Sequence, residues 1–566
     1  MENALPSAEA AKLNAHYLRG TIAEELETVN PEFSKPATAV LKFHGIYQQD
    51  DRDLRKKGIK QYTGMVRVGV PGGVLAPDQY LTLDRLADLG NGSLRITTRQ
   101  DIQYHNVPKS EMRALIRGLN EHYLGTLAAC GDVVRNVVSC PAPFESEQRR
   151  ELFPIVQFLS RNLKPRTTAY YDIWIGGEHA VSAEEETTEV EPLYGATYLP
   201  RKFKIAFAFP GDNTTDIYSN DIGIVPHYEG GELQGFTILA GGGMGQSAGV
   251  KASHPRLADP VCFIEPNAET LLEVAKAIVT IHRDFGNRMN RKLARLKYVM
   301  DAWGVTRFKE ELEARVGRQL APPRSLVWHR AVDYLGWHKQ RTTPEGCPVW
   351  FVGVRVISGR VRDFDRNNRI RTGLRTIVQR YGTGVRLTAQ QNLYLEGITD
   401  ADRPAVAALL AEHGIAEPES LPPILRHAIS CPALPTCALA ITESERIMPE
   451  VVAELQEELN AVGLQEDVIH LRTSGCPNGC SRPYTAEIGI VGASVDLYTI
   501  YLGASPLGER LGSVFAQNVR RGELAEKLRP AIAFYRDCRR PGESFGDFCN
   551  RIGMEDLRNA AALSAA

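Results

Sequence analysis

One pattern in the sequence occurs twice, once in each half of the chain. Residues 94–100 (LRITTRQ) align with residues 385–391 (VRLTAQQ). Before each copy stands an apolar, glycine-containing stretch, and after each copy comes helical spacing, over residues 111–123 and 403–412. Two similar αβ halves related by a pseudo-twofold axis can enclose one site between them. The repeat therefore predicts a duplicated fold that mixes helices and strands.

The two copies differ where chemistry depends on charge. Arg99 aligns with Gln390, and His105 aligns with Glu396, so the first copy is the cationic one. Side-chain character alternates through residues 92–107, which predicts one strand. A strand of that kind would point four polar residues to one side, where they would line either a site or a solvent-exposed face: Arg95, Arg99, Gln103 and His105.

The size and composition indicate a globular protein of several domains. At 566 residues the chain exceeds what one core usually supports, which predicts about two to four domains. Apolar residues make up 43%, charged residues 24%, and the formal net charge is −2. This balance argues against a general binder of nucleic acids or anionic membranes. We expect a cytoplasmic protein, because no stretch has the pattern of a secretion signal or the roughly 18 apolar residues of a membrane span.

Four cysteines are grouped in two short loops that contain proline. Five residues separate Cys431 from Cys437, and three separate Cys476 from Cys480. In a reducing compartment, grouped cysteines point to a metal or catalytic site rather than to disulfides. The spacing favours an iron-sulfur cluster with one cysteine per iron, because paired zinc ligands usually stand about two to four residues apart. A zinc site and four unrelated buried thiols are the alternatives.

A glycine-rich run, residues 241–245 (GGGMG), follows two strand-like stretches. It is neither a P-loop nor a dinucleotide fingerprint, since the lysine and the spacing of those motifs are missing. A tight backbone turn and a close approach of the backbone to a cofactor are both compatible with it. The sequence leaves these two interpretations open.

Several motifs together give the chain a family resemblance. They span almost its whole length: residues 17–24 (YLRGTIAE), 43–53 (FHGIYQQDDRD), 198–204 (YLPRKFK), the two cysteine loops and 543–548 (ESFGDF). With these motifs the chain resembles the sirohaem-dependent assimilatory sulfite reductases of the nitrite and sulfite reductase family. Within that family it is similar to the haemoprotein beta components of the NADPH-dependent enzymes.

The resemblance implies an α+β fold. It consists of duplicated ferredoxin-like half-domains, together called a parachute, and two α/β domains that hold sirohaem and a [4Fe-4S] cluster with pseudo-twofold symmetry. The half-domains are expected at residues 64–130 and 345–420, after an N-terminal extension at residues 1–63. The sirohaem and substrate domain is expected at residues 131–344, and the domain for the cluster and sirohaem at residues 421–566.

The resemblance also implies how two cofactors are held. Cys431, Cys437, Cys476 and Cys480 would bind the [4Fe-4S] cluster, and Cys480 would in addition ligate the sirohaem iron. One shared sulfur would couple the two cofactors, so that electrons stored in one are delivered through the other. Asn478 would orient the cysteine loop. The macrocycle carries carboxylates, which would be met by the alternating polar residues: Arg95, Arg99, Gln103 and His105.

For activity the resemblance implies the six-electron reduction of sulfite to sulfide. Each oxygen leaves after protonation, so the site must bind an anion and supply protons. The residues that match the family's motifs here are Arg67, Arg135, Lys202 and Lys204. Arginine offers a planar fork to the anion's oxygens, and a lysine crowded by other cations can release a proton. Lys202 and Lys204 would share one face of an extended segment, although any one of the four is also compatible with a solvated surface charge.

The electron donor and the substrate have alternatives. No flavin or nicotinamide fingerprint is present, so electrons must come from another protein, either a flavoprotein alpha component (NADPH, FAD, FMN) or ferredoxin. Residues 170–174, 221–223 and 334–337 resemble the ferredoxin-dependent type. A sirohaem nitrite reductase is the nearest rival, against which Lys204 argues, because doubly charged sulfite favours an additional cation. A non-catalytic iron-sulfur or zinc protein is the rival of another class.

One pair of residues leads to a separate hypothesis. Some members of the family bring a tyrosine and a cysteine together near the haem. Tyr47 lies in the 43–53 motif, and Cys130 lies shortly before Arg135. We hypothesise that Tyr47 and Cys130 form a thioether crosslink, with two ordinary buried residues as the alternative.

Overall fold

The structure is a computed structural model that describes residues 5–166, 172–175, 178–182 and 191–564. Residues 170 and 171 of the 170–174 motif lie outside the described residues. Helices and strands alternate along the chain, as the repeat predicts. Among the helices that the structure describes, none has the length and apolar character needed to cross a membrane.

The N-terminal helices and the first half-domain come first. Their elements are α1 (Ser7–Leu13), α2 (Ile22–Leu26), α3 (Lys35–Leu41), β1 (Ile46–Asp50), α4 (Arg52–Lys56), β2 (Tyr62–Val68), β3 (Val74–Leu75), α5 (Pro77–Leu86), β4 (Leu94–Ile96), β5 (Ile102–Val107) and α6 (Met112–Asn120). The first α/β domain follows, with α7 (Glu147–Asn162), β6 (Asp172–Ile175), β7 (Glu178–Ser182), β8 (Ile205–Phe207), β9 (Gly211–Asp212), β10 (Ile222–Glu229), β11 (Glu232–Ala240), β12 (Asp259–Ile264), α8 (Ala268–Phe285), α9 (Leu296–Val316) and β13 (Trp328–Arg330).

The second half-domain contains β14 (Gly336–Thr342), β15 (Pro348–Val354), β16 (Arg360–Val361), β17 (Asp363–Asp365), β18 (Asn368–Arg369), α10 (Ile370–Tyr381), β19 (Gly384–Leu387), β20 (Leu393–Thr399) and α11 (Arg403–Glu412). The second α/β domain contains α12 (Pro423–Arg426), β21 (Ile429–Ser430), α13 (Met448–Ala461), β22 (Leu471–Ser474), β23 (Ile488–Ser494), β24 (Leu497–Leu502), β25 (Ser513–Arg520), α14 (Leu524–Cys538), α15 (Phe545–Ile552) and α16 (Met554–Ser564). The domain boundaries given by the resemblance stay predictions.

Each half-domain is a five-stranded sheet completed by a strand of the other half. The strand order is β1-β2-β5-β4-β16 in the first sheet and β14-β15-β20-β19-β3 in the second. β16 pairs antiparallel with β4, and β3 pairs antiparallel with β19. The apolar side chains of both halves form one core, which includes Leu94 and Ile96 together with Val385 and Leu387. The exchange of edge strands therefore joins the two copies into one unit.

The aligned segments fold into the same turn in both copies. In the first copy the Thr97 N–H donates to the Asp101 carbonyl, and in the second the Thr388 N–H donates to the Asn392 carbonyl, both at 2.9 Å. The threonine hydroxyl accepts two backbone hydrogen bonds in each copy. The duplication seen in the sequence is thus a duplication of detailed local structure.

The single strand predicted for residues 92–107 is wrong. The chain reverses in the turn that begins at Thr97, where Gln100 adopts a left-handed conformation with φ +57°. β4 and β5 then pair antiparallel, which places Arg95 opposite Gln103. Alternation did not reveal this reversal, because the turn contains neither glycine nor proline, the residues that usually mark one.

The two α/β domains also share one pattern of strand pairing. In the first, β8 is parallel to β10, and β11 and β12 follow antiparallel. In the second, β22 is parallel to β23, and β24 and β25 follow antiparallel. A further parallel neighbour adjoins each: β21 beside β22, and the segment at Val138, which is bridged to Ala206 in β8. The pseudo-twofold relation therefore extends over all four domains.

This relation uncovers a second, shorter repeat. The sequence Ser-Cys-Pro-Ala begins the equivalent loop in both domains, with Cys140 in the first and Cys431 in the second. Further along, Asp216 and Arg482 occupy equivalent positions and both adopt left-handed conformations, at φ +48° and +59°. The loops that carry the four grouped cysteines thus have counterparts in the first α/β domain.

Arg482 joins these parts where the repeated segments meet. Its Nη1 donates to the Thr98 carbonyl at 3.0 Å, and its Nη2 donates to the Ala389 carbonyl at 2.8 Å, which are equivalent positions of the repeated turn. Its Nε lies 2.5 Å from a carboxylate oxygen of Asp216, its own counterpart. One buried guanidinium therefore contacts both half-domains and the first α/β domain from its place in the second.

The close packing of the exchanged strands can be tested at one glycine. Gly359 has φ +68°, and a Cβ atom there would collide with the Ile96 carbonyl oxygen. Gly382 has a similar φ of +62° but faces open space. Left-handed strain alone should cost Gly382→Ala about 1–2 kcal/mol, whereas Gly359→Ala should lose about 1–3 kcal/mol more through overpacking. Thermal unfolding measures the difference, and equal midpoints for the two variants would contradict the packing described.

Candidate functional site

The four grouped cysteines converge at one edge of the second α/β sheet. β21 and β22 are parallel neighbours, so the loops that leave their carboxyl ends emerge at the same edge. The first loop carries Cys431 and Cys437, and the second carries Cys476 and Cys480. The backbone N–H of Gly475 donates to the Cys431 sulfur at 3.3 Å. The fold thus brings together two pairs of thiols that are far apart in the sequence.

Electrostatic coupling shows that these thiols are neighbours. Burial raises the pKa of Cys431, Cys437 and Cys476, and negative charge on Cys480 raises it further in each case. The side-chain amide of Asn478 donates a hydrogen bond to the Cys476 sulfur at 3.5 Å. Within the described ranges, no three His, Cys, Asp or Glu side chains converge closely enough to hold one metal ion. Four thiols in two loops fit a cluster with one thiolate per iron, as the resemblance implies.

The four cations predicted for catalysis lie half-buried in one region beside these thiols. Burial, together with the positive charges of Arg201 and Arg135, lowers the pKa of Lys202 to about 7. Burial and the neighbouring Lys202 hold the pKa of Lys204 well below its usual value. Arg67, in β2, is only 17% exposed in its side chain. So much positive charge in a water-poor region suits an anionic ligand.

Cys480 lies between the cationic region and the other three thiols. Its negative charge acts on the pKa of Arg67, Lys202 and Lys204, as well as on that of each remaining cysteine of the set. Cys480 is also exposed, whereas Cys431 and Cys476 are buried. Among the four thiols, the sulfur of Cys480 is therefore the one placed to contact a ligand in the cationic region.

Two of the residues predicted beside a macrocycle carry unsatisfied polar atoms. Gln103 Oε1 and both ring nitrogens of His105 are buried and lack a hydrogen-bond partner among the described residues. The same holds for Nε of Arg67. Buried polar atoms in proteins are normally paired. These orphaned groups fit a polar cofactor that is not part of the polypeptide, as the sirohaem implied by the resemblance would be.

The other two predicted residues are held by the protein itself. Arg95 donates from Nη2 to the Ser430 carbonyl at 2.9 Å and from Nε to Glu445 at 3.1 Å. Arg99 donates from Nη1 to Asn220 at 2.8 Å and from Nη2 to two backbone carbonyls. Only Nε of Arg99 is buried and without a hydrogen-bond partner among the described residues, so it is the one donor of this side chain that the protein leaves unsatisfied. A contact of Arg95 or Arg99 with a macrocycle stays a prediction.

The glycine-rich run proves to be a neighbour of the second cysteine loop. The Gln246 N–H, just after the run, donates to the Pro477 carbonyl at 2.8 Å. Lys297 is fully buried and donates from Nζ to the carbonyls of Gly243 at 3.2 Å and Gly245 at 2.8 Å. The run thus contacts the second cysteine loop, and its approach to a cofactor stays a prediction. Sequence reasoning missed Lys297, because a lysine in a helix normally indicates a solvated face.

Tyr47 and Cys130, the pair for which a crosslink was hypothesised, both lie beside the predicted catalytic cations. Burial raises the pKa of Tyr47, and Cys130 raises it further. Arg135 donates from Nη2 to the Tyr47 hydroxyl at 3.4 Å. The two side chains therefore lie near each other and near the predicted catalytic cations. Their thioether crosslink stays a prediction.

Comparisons with known family models agree with this architecture. The model described as "Nitrite/Sulfite reductase ferredoxin-like half domain" matches residues 58–122 and 341–413, which are the two half-domains. The model described as "Nitrite and sulphite reductase 4Fe-4S domain" matches residues 157–320. That match lies in the first α/β domain, whereas the four grouped cysteines lie in its pseudo-symmetric counterpart.

Individual proteins match over nearly the whole chain. The "Sulfite reductase [NADPH] hemoprotein beta-component" of Myxococcus xanthus (strain DK1622) is 43% identical, with 97% of this chain and 97% of the relative covered. The "Sulfite reductase [ferredoxin]" of Synechococcus elongatus is 41% identical, with 98% and 90% covered. The solved structure of the Mycobacterium tuberculosis NirA protein has 25% identity and a TM-score of 0.77, with 98% of each chain covered.

Fold and site together define a class of redox protein, in which a thiol set suited to an iron-sulfur cluster opens onto a half-buried cationic region inside a duplicated α+β fold. The extent of the matches makes the assignment more specific. The chain belongs to the nitrite and sulfite reductase family. The family and the fold class expected from the sequence motifs are thereby confirmed.

Proposed function

We propose that this chain is an assimilatory sulfite reductase haemoprotein, which reduces sulfite to sulfide by six electrons at a sirohaem coupled to a [4Fe-4S] cluster. The position of Cys480 carries the proposal. Its thiol interacts electrostatically with the three other cysteines and also with Arg67, Lys202 and Lys204. A sulfur in that position can serve a cluster and a haem iron together. The names of the relatives support sulfite as the substrate.

In this proposal the bound sirohaem and cluster supply the electrons, and the chain supplies positive charge and protons. The guanidinium groups of Arg67 and Arg135 bind and orient the anion. Lys202 has a pKa lowered to about 7 by burial and by neighbouring arginines, so its Nζ can hold or release a proton near neutral pH. An anion bound beside Lys204 favours the protonated form of its amine, so that Lys204 then adds the further cation that favours doubly charged sulfite over singly charged nitrite.

The electron donor is a second protein in this proposal, either a flavoprotein alpha component or ferredoxin. Relatives named for each donor type match this chain almost equally, at 43% and 41% identity. A cytoplasmic location is part of the proposal. It is supported by the ten cysteines of the chain, all of which are unpaired in the structure.

The proposal is tested by assaying sulfide formation from sulfite with the purified, cofactor-loaded protein. Reduced ferredoxin is the donor in one series, and NADPH with a flavoprotein alpha component is the donor in the other. We expect sulfide with at least one donor and a higher kcat/KM for sulfite than for nitrite, because the cationic region suits the doubly charged anion. A protein that contains both cofactors but forms no sulfide with either donor would refute the proposal.

The pKa of Lys202 predicts how sulfite affinity depends on pH. Below about pH 7 Lys202 is cationic and attracts the anion. Above that value it loses its proton, so sulfite affinity should fall by up to about tenfold per pH unit. In Lys202→Arg the guanidinium stays charged, and the profile should be flatter between pH 7 and 9.

Optical titration of the loaded protein with sulfite measures this dependence. The ionisation of sulfite is common to both proteins, so the ratio of their affinities isolates the side chain. Lys202→Met provides the uncharged reference, with weak binding across the range. Parallel profiles for the wild type and Lys202→Arg would show that Lys202 does not titrate there.

A further inference from the structure

The 43–53 motif gains a physical role from where its residues lie. β1 and α4, which together span residues 46–56, run from the cationic region to the first cysteine loop. At one end Tyr47 accepts a hydrogen bond from Arg135. At the other end Asp51 caps α4 by accepting from the backbone N–H groups of Asp53 and Leu54, at 2.8 and 3.1 Å. This cap fixes the first residue of α4, Arg52, against the cysteine loop.

Arg52 contacts the loop on both sides of Cys437. Its backbone N–H donates to the Pro435 carbonyl at 3.2 Å, and its Nη1 donates to the Ala440 carbonyl at 2.5 Å. Ala440 in turn donates from its N–H to the Cys437 carbonyl at 3.1 Å. Arg52 thus holds the loop segment that carries Cys437, whose thiol is less buried than that of Cys431.

The charge of Arg52 is not balanced by a carboxylate. Within the described part of the chain, no ion pair involves Arg52. Arg446, also at this loop, differs: its Nη1 lies 2.6 Å from an Asp53 carboxylate oxygen, and its Nε lies 3.0 Å from one of Glu443. Of the two guanidinium groups at this loop, that of Arg52 has no carboxylate partner among the described residues, whereas that of Arg446 is paired with two carboxylates.

We propose that Arg52 is a positioning residue for the cluster, one that fastens the Cys437 loop and whose unbalanced charge raises the cluster's reduction potential. The inference rests on the [4Fe-4S] cluster of the proposed function. Four thiolates give the site negative charge, and each added electron increases it. A nearby cation stabilises the reduced form more than the oxidised form, and the effect is larger away from bulk water.

Redox titration of the loaded protein, followed by the EPR signal of the reduced cluster, tests the inference. Arg52→Gln removes the charge but can still donate from its side-chain amide, Arg52→Lys keeps the charge, and Arg446→Gln is the matched control. Arg52→Gln should lower the equilibrium constant for one-electron reduction of the cluster by about tenfold, which lowers its reduction potential by about 59 mV. Arg52→Lys should stay near the wild type. Arg446→Gln should shift the potential much less, because the side chain of Arg446 is 47% exposed and water screens its charge.

The outcomes separate the charge effect from a purely structural one. Equal shifts in Arg52→Gln and Arg52→Lys would mean that loop geometry, not charge, sets the potential, and would overturn the inference. An unshifted Arg52→Gln, or an Arg446→Gln shifted as far, would overturn it as well. Failure of the proposed function would look different, since the wild type itself would then lack a [4Fe-4S] signal.

Discussion

The arrangement of this molecule depends on the buried guanidinium of Arg482. It donates to the carbonyls of Thr98 and Ala389, equivalent points of the repeated turn, and it is paired with Asp216 in the other α/β domain. Burial lowers the pKa of Arg482 to about 10, and Asp216 partly offsets that effect, so the side chain stays charged at neutral pH. Arg482 also lies in the loop of Cys480. The contact that joins the domains therefore also positions the thiol on which the proposed chemistry depends.

The pseudo-twofold frame is symmetric, but its chemistry is not. In the second α/β domain the loops carry the four thiols. In the first, Cys140 occupies the place of Cys431, and its sulfur lies 3.3 Å from the hydroxyl of Thr214, which occupies the place of Cys480. The half-domains differ in the same way, since the first contributes the cationic residues. A duplicated frame thus provides two equivalent loop regions, with the thiols in one and the cations predicted to bind the substrate largely beside the other.

Local features could be predicted from the sequence. The helix expected at residues 403–412 coincides with α11, and the one expected at residues 111–123 corresponds to α6. Features that depend on distant segments could not. The exchange of β3 and β16, the contacts of Arg482 and the burial of Lys297 all rest on partners far away in the chain. Arg99 shows this limit of sequence-based prediction most clearly. Its positive charge could be predicted, but its hydrogen bonds to Asn220 and to two backbone carbonyls could not.

The central claim is that Cys480 serves both cofactors. It is tested most directly by replacing Cys480 with serine and recording the sirohaem absorption spectrum and the EPR signal of the cluster in the same preparation. Cys140→Ser, at the counterpart of Cys431, is the control and should leave both signals unchanged. The account predicts that Cys480→Ser disturbs the haem spectrum together with the cluster signal. An unaltered sirohaem spectrum with native activity would contradict it.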